Sequence, residues 1–320
     1  MRSLLQFRPK ERLLRFGAIC TTVESTKCRL LSRLQPADWC RIDMAFSELS
    51  DIDFKRFSAL IYEKCGIHLR GGKKELVRAR LSKRMREAGF EDFKAYYRFL
   101  TQDESGNELV MMLDAISTNL TSFFREEKHF DFLENDIFPT YVAELEAGIR
   151  RRRLFWSAGC SSGEEAYSLA ICLLEHFGDE AGRHMKVLAT DISTKVLAQA
   201  GSGVYRASRL DRVPNALLRK YFQRGYGKQE GYFRVKPLLK EVVEFRRVNL
   251  MEPFTFKRRF DLILCRNVMI YFDRTAQAAL VNKFYDALRG GGYLFVGHSE
   301  TLTGIDHPFT YVKPSIFCKA

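Results

Sequence analysis

Phe155-Trp156-Ser157-Ala158-Gly159-Cys160-Ser161-Ser162-Gly163-Glu164-Glu165-Ala166-Tyr167-Ser168 is the stretch from which the fold is read. A short apolar strand, Leu154 to Trp156, runs into a loop of small residues with two glycines. A helix-forming segment, Glu164 to Phe177, follows at once. Strand, Gly loop and helix N-terminus make a cradle in which backbone approaches a nucleotide-like ligand closely. The loop is not GxGxxG, and no Lys follows the second glycine, so it is not a P-loop. Glu164 and Glu165 stand at the helix start. Two carboxylates there would repel a pyrophosphate and suit a cationic or hydroxyl-bearing ligand. That points away from NAD or ATP and toward S-adenosylmethionine, whose sulfonium and amino groups are positive. Taken alone, the segment reads equally well as a β–α turn with a helix-capping Ser162 and acids matched to the helix dipole.

From Arg153 onward strands alternate with helices. Strands are predicted at 153–157, 186–190, 260–265, 293–296 and near 316–319, with helices at about 193–200 and 274–289. This pattern predicts an α/β fold: a doubly wound, mostly parallel, Rossmann-like sheet over 153–320. Ligands in such sheets bind at the carboxyl ends of the strands, where 157–163, 191 and 266–267 all fall. Between Tyr205 and Asn249 the alternation breaks. Strands at Tyr232 to Val235 and Val242 to Val248 follow the run Arg224-Gly225-Tyr226-Gly227. A small antiparallel β subdomain is therefore expected over 205–248. Its edge offers a site for peptide strand addition, although a decorative hairpin is the commoner use.

Ahead of the sheet, residues 44–112 read as an all-α domain, joined by a linker at 113–152. Ser50 or Asp51 caps a helix carrying Phe54, Phe57, Leu60 and Ile61, which ends near Gly66. A second helix runs from about Lys73 to Ala88, with Leu76, Leu81, Met85 and Ala88 as its apolar side. Further helices are predicted at about 93–100 and 108–117. The second helix holds seven bases and one acid between Lys73 and Arg86. Like charges at i,i+4, such as Arg80 and Arg84, cost helix stability. The run is either a solvated face or a docking face for acidic protein or phosphate.

Residues 1–43 carry nine Lys/Arg against four Asp/Glu without sustained periodicity, and read as a basic, disordered extension. They contain no long apolar segment of the secretory kind. No apolar run approaches the ~20 residues a bilayer-spanning helix needs. The eight cysteines are scattered with no CxxC pair, so they read as reduced thiols of a cytoplasmic protein, and no metal is expected. The net charge of +13 implies an acidic partner, nucleic acid or an acidic protein surface.

Three segments carry the chemistry. Asp191 ends the second strand, where an acid hydrogen-bonds ribose hydroxyls or, as often, caps the next helix. Thr118-Asn119-Leu120-Thr121-Ser122-Phe123-Phe124-Arg125-Glu126 packs polar donors, paired aromatics and an Arg able to clamp a carboxylate. Leu264-Cys265-Arg266-Asn267-Val268-Met269-Ile270-Tyr271-Phe272-Asp273 brings Arg266 and Asn267 to the end of the strand at 260–265. His298-Ser299-Glu300 hints at a triad, but no G-x-S-x-G elbow exists, and it reads as structural.

These segments, with Gly297-His298-Ser299-Glu300, resemble the chemotaxis receptor glutamate methyltransferases of the CheR type, in order over roughly residues 47–320. The resemblance implies an S-adenosylmethionine enzyme that esterifies glutamate side chains of chemoreceptor cytoplasmic helices and releases S-adenosylhomocysteine. By the same resemblance Asn119, Thr121, Arg125, Gly159, Glu164, Asp191, Asn249, Leu250, Arg266 and Asn267 contact the cofactor. Arg125 and Tyr271 stand nearest methyl transfer. Cys160 replaces a small residue of that loop and is not expected to block binding. Arg80 and Arg84 are expected to meet the receptor. Gly225, Tyr226 and Gly227 resemble the Gly-X-Gly loop of members that tether to a receptor C-terminal pentapeptide. A cytoplasmic monomer is implied, reaching the membrane only through receptors and binding no nucleic acid. Composition and fold alone leave two alternatives, an RNA methyltransferase and a non-catalytic receptor-binding adaptor.

Overall fold

The computed structural model describes residues 48–69 and 71–320. The basic extension 1–43, with Cys20, Cys28 and Cys40, lies outside the described residues, as does Met44.

Among the described residues four α-helices come first: α1 (Asp51–Cys65), α2 (Lys74–Ala88), α3 (Phe93–Gln102) and α4 (Asn107–Ile116). The Ser50 hydroxyl caps α1 by accepting from the Asp53 N–H, and Gly66 ends the helix with φ 70°, a left-handed conformation that suits glycine. Phe57, Leu81, Met85, Tyr96 and Met112 are fully buried and form the small core. On α2 the expected apolar side is shifted. Val77 is buried, whereas Leu76 is 45% exposed and turns toward the sheet domain.

Residues 127–146, read from the sequence as linker, are instead structured. They form α5 (Glu127–Phe132), a π-helical turn (Leu133–Ile137) and α6 (Phe138–Glu146). Phe130, Phe132, Leu133, Ile137 and Phe138 are buried in the core of the sheet domain. An apolar run interrupted by Pro139 hid them, because proline is tolerated in a first helical turn.

Then follow β1 (Arg153–Ala158), α7 (Glu164–Phe177), α8 (Asp179–His184), β2 (Met185–Asp191) and α9 (Thr194–Ser202). The insert carries β3 (Val204–Arg206), α10 (Asn215–Tyr221), β4 (Phe222–Arg224) and β5 (Tyr232–Val235). The main sheet resumes with α11 (Pro237–Val242), β6 (Val243–Arg247), β7 (Phe260–Cys265), α12 (Arg274–Ala287), β8 (Leu288–Val296), β9 (Thr310–Lys313) and β10 (Ile316–Cys318). The seven-stranded sheet has the order β6-β2-β1-β7-β8-β10-β9, parallel from β6 to β8 and antiparallel at β10 and β9.

Strand side chains alternate between two covered faces. Phe155, Val187, Leu262 and Phe295 pack on one side; Trp156, Leu188, Ile263 and Leu294 pack on the other. Burial on both faces explains the apolar runs 154–156 in β1 and 262–265 in β7.

The strand expected at 242–248 does not belong to the insert. Val243–Arg247 forms the edge of the main sheet, parallel to β2, and the small sheet is only β3-β5-β4. Pro237 starts α11, which restores the helix–strand alternation; six residues were too few to show periodicity. Tyr232–Val235 is the central strand of the small sheet, so its free edges belong to β3 and β4.

Candidate active site

β1 lies between β2 and β7, where the winding of the sheet reverses, and its carboxyl end is the switch-point crevice of such folds. The register sets Ala158 beside Thr190 and Ser157 beside Leu264, which brings the 159–163 loop next to Asp191 and Arg266. A cavity opens there, roofed by residues of α2 and of the segment after α4. Gly159 (φ 82°) forms part of its wall, and a Cβ there would stand 2.4 Å from Val268 Cγ2.

The helical domain is fastened over the crevice at several points. The His68 N–H donates to the Tyr271 carbonyl at 2.8 Å, and Tyr62 Oη donates to Asp273 Oδ2 at 2.7 Å. Asp114 of α4 accepts from the Thr194 N–H and hydroxyl at the start of α9. Asn249 Nδ2 donates to the Lys64 carbonyl at 2.6 Å. Asn249 thus lines the cavity while its side chain clamps the two domains together.

Asn119, Thr121, Arg125, Gly159, Asp191, Asn249, Leu250, Arg266, Asn267 and Tyr271 all border this one cavity. Asp191 is not the cap of α9; Ser193 caps it, accepting from Val196 N–H. Asp191 accepts from the Ser161 and Ser193 N–H groups at 2.9 and 3.0 Å, and burial raises its pKa despite them.

Glu164 is the exception. It is fully buried, outside the cavity lining, ion-paired to Arg209 and bonded by the Ser162 hydroxyl. Ser162 is consequently not the cap of α7 either; Gly163 is, with φ 95°. The acid facing the cavity is Glu165, which the sequence reading did not assign. Adjacent residues at a helix start project about 100° apart, so the pair could not both face the ligand. Ser157 Oγ donates to Glu165 Oε1 at 2.6 Å, and burial again raises the carboxyl's pKa.

Arg266 ties the wall together. Its Nε lies 3.3 Å from both Glu126 Oε2 and Glu165 Oε2, and its Nη2 donates to the Arg125 carbonyl. Arg125 Nη1 donates to the Leu120 carbonyl at 3.0 Å, leaving other guanidinium donors for a ligand. Glu300 accepts from the Gly297, Asn267 and Ile270 N–H groups, which makes the His298-Ser299-Glu300 run structural at its acid. Cys160 is buried in the core and is not part of the cavity lining.

The receptor-facing assignment of Arg80 and Arg84 is not supported. Arg80 donates to the Ile116 and Ser117 carbonyls and to Thr118 Oγ1, anchoring the cavity's roof. Arg84 is 13% exposed and forks onto Glu108. Charge counting alone cannot separate a buried base from a solvated one. The exposed bases of α2 are Arg78, Lys83 and Arg86.

Two carboxylates raised by burial face this cavity, and a ligand bearing both cationic groups and hydroxyls matches them. That donor set fits S-adenosylmethionine. Residues 119–318 match the family described as CheR methyltransferase, SAM binding domain, and residues 52–117 match CheR methyltransferase, all-alpha domain. The chain is 41% identical over 269 residues to a chemotaxis protein methyltransferase of Borreliella burgdorferi, covering 83% of this chain and 94% of that one. It is 41% identical to the chemotaxis protein methyltransferase of Escherichia coli K12 over 84% of this chain and 91% of the relative, and 42% identical to that of Salmonella typhimurium over 84% and 90%. With both domains matched in order around one cavity, the chain belongs to the CheR methyltransferase family.

Proposed function

We propose that this protein transfers the methyl group of S-adenosylmethionine to glutamate side chains on the cytoplasmic helices of chemoreceptors, forming glutamyl methyl esters in the cytoplasm. The observation carrying the reading is the cavity wall. Asp191 and Glu165 offer carboxylates to the cofactor, and Arg125 and Tyr271 line the same cavity. A glutamate with an ordinary pKa near ~4.3 is already ionised at neutral pH, so no proton needs to be removed. The cofactor supplies an activated methyl on a sulfonium. What remains for the protein is alignment and removal of water from the carboxylate. Arg125 and Tyr271 can hold that carboxylate without taking a proton.

Tritiated-methyl transfer from S-adenosylmethionine to receptor-containing membranes, followed by mild base, tests this. Volatile methanol is expected from a carboxyl ester. Label that stays on RNA or on protein nitrogen would overturn the reading. In the same assay Arg125→Ala and Tyr271→Phe are expected to slow turnover by tenfold or more while their melting temperatures stay near wild type. Wild-type rates in both folded variants would remove them from the reaction.

Asp191→Asn is expected to weaken S-adenosylhomocysteine binding by about 1–3 kcal/mol, the scale of an unpaired buried polar group. The pH dependence has a definite sign. Burial raises the Asp191 pKa, so its contribution to stability is present below the ordinary carboxylate value and lost as pH rises through the raised one. A ligand donating hydroxyls favours the ionised form. Affinity is therefore expected to rise with pH through the raised value and then level off. Calorimetric titration checks it; a folded variant with unchanged affinity and pH slope would remove Asp191 from the site.

Docking of the receptor is assigned to exposed bases of α2, and tethering of a receptor C-terminal pentapeptide to the free edge of β4 beside Gly225. Tyr226 is 79% exposed, and a Cβ on Gly225 would stand 2.1 Å from the Gln229 carbonyl oxygen. Gly225→Ala is expected to reduce binding of an acidic, aromatic-containing pentapeptide at least tenfold in fluorescence anisotropy, with S-adenosylhomocysteine affinity unchanged. Equal peptide binding by this variant would move the tether elsewhere.

A further inference from the structure

Beside Arg266, but outside the cavity lining, lies a group of side chains that methyl transfer leaves unused. Glu126 and His129 sit one turn apart at the start of α5, and His298 approaches from the loop after β8. We propose that Glu126, His129 and His298 bind a divalent transition-metal ion, and that filling this site loosens Arg266 and weakens cofactor binding.

The geometry carries the first half. The candidate ligand atoms of these three residues all lie within 4.8 Å of one another. A tetrahedral ion with bonds of about 2.0–2.2 Å sets its donors about 3.4 Å apart. His129 Nδ1 and Glu126 Oε2 are already 3.5 Å apart. His298 is exposed, so its ring is free to turn and close the remaining gap. The rings of His129 and His298 meet edge to face with centroids 4.9 Å apart.

His129 is 1% exposed, and neither of its ring nitrogens has a hydrogen-bond partner. A buried ring with two unused polar atoms is costly unless something else takes a lone pair. Two imidazoles and one carboxylate suit Zn2+, Co2+, Ni2+ or Cu2+ and not Mg2+ or Ca2+. Exposure of His298 leaves the entry path and a fourth position open to water.

The second half rests on the cofactor reading of the cavity above. Glu126 Oε2, the oxygen nearest His129, is also 3.3 Å from Arg266 Nε. An ion on that oxygen competes with the guanidinium. Arg266 in turn bears on Glu165 and on the Arg125 carbonyl, both parts of the cavity wall. Metal and Arg266 therefore draw on one carboxylate, and by linkage metal and cofactor weaken each other by the same factor.

The test titrates Zn2+ into the full chain and into His298→Ala, a change at an exposed side chain outside the cavity. Wild type is expected to bind one Zn2+ that the variant binds at least tenfold more weakly. Co2+ in its place is expected to give visible d–d bands without thiolate charge transfer. Equal Zn2+ binding by both proteins, or a thiolate spectrum that assigns the metal to cysteines, would overturn the site. Saturating Zn2+ is expected to lower S-adenosylhomocysteine affinity at least fivefold in wild type and not in His298→Ala. An unaffected affinity would overturn the coupling. Titration of S-adenosylhomocysteine without metal tests the cavity separately, so failure of one assignment is distinguishable from failure of the other.

Discussion

Arg266→Met is expected to destabilise the protein by about 3–5 kcal/mol and to reduce S-adenosylhomocysteine affinity in whatever fraction stays folded. The Arg266 side chain is 1% exposed and faces Glu126 and Glu165, themselves 11% and 12% exposed. Removing one partner of a buried ionic group leaves charge uncompensated, and that penalty is what sets the magnitude. Here two carboxylates would be stranded, with the loop at Arg125 also losing the donor to its carbonyl. Denaturant unfolding of the variant, beside Arg266→Met combined with Glu126→Gln and Glu165→Gln, separates the causes. The triple replacement is expected to recover most of the lost stability, because neutral amides need no counter-charge. Arg266→Lys keeps one charge but not the planar fork, and an intermediate loss is expected from it. A single variant as stable as wild type would show that Arg266 is a spectator of the cavity.

The main sheet was legible because strands buried on both faces carry short apolar runs, 262–265 and 187–189 among them. Gly159, Asp191, Arg266 and Asn267 were legible because loops at carboxyl ends of parallel strands converge at a switch point, whereas Asn119, Thr121, Arg125, Asn249, Leu250 and Tyr271 rested on the family resemblance. Tertiary pairing was not legible. Nothing local in Val243–Arg247 tells a main-sheet edge from one more strand of an insert; its partner β2 lies some fifty residues upstream. The choice between Glu164 and Glu165 failed for a different reason. Both are acids at a helix start, and only the azimuth of the helix decides which meets the cavity and which meets Arg209. The same holds on α2, where composition gave the charge but the helix phase fixed which bases are buried.

Arg84→Glu makes that last point measurable. Reversing this charge is expected to cost about 3–5 kcal/mol or more and to unfold the helical domain first. Arg84 Nε and Nη2 donate to the two oxygens of Glu108 at 2.8 and 2.5 Å, with both side chains largely buried. Tyr96 Oη donates to the same carboxylate at 2.7 Å, so Glu108 is held by three donors in a small core. A second carboxylate in that place leaves the first without its counter-ion and adds repulsion in a poorly solvated site. Lys83→Glu on the same helix reverses the same charge at an exposed position and is expected to change stability by less than about 0.5 kcal/mol. The two variants thus separate folding from docking. If exposed bases of α2 meet an acidic receptor, Lys83→Glu weakens receptor methylation and its salt dependence while melting like wild type. Arg84→Glu loses methylation because its domain no longer folds, and Arg84→Met with Glu108→Leu, which removes both charges, is expected to restore melting. Equal melting of Arg84→Glu and Lys83→Glu would refute the burial argument and return Arg84 to the docking surface.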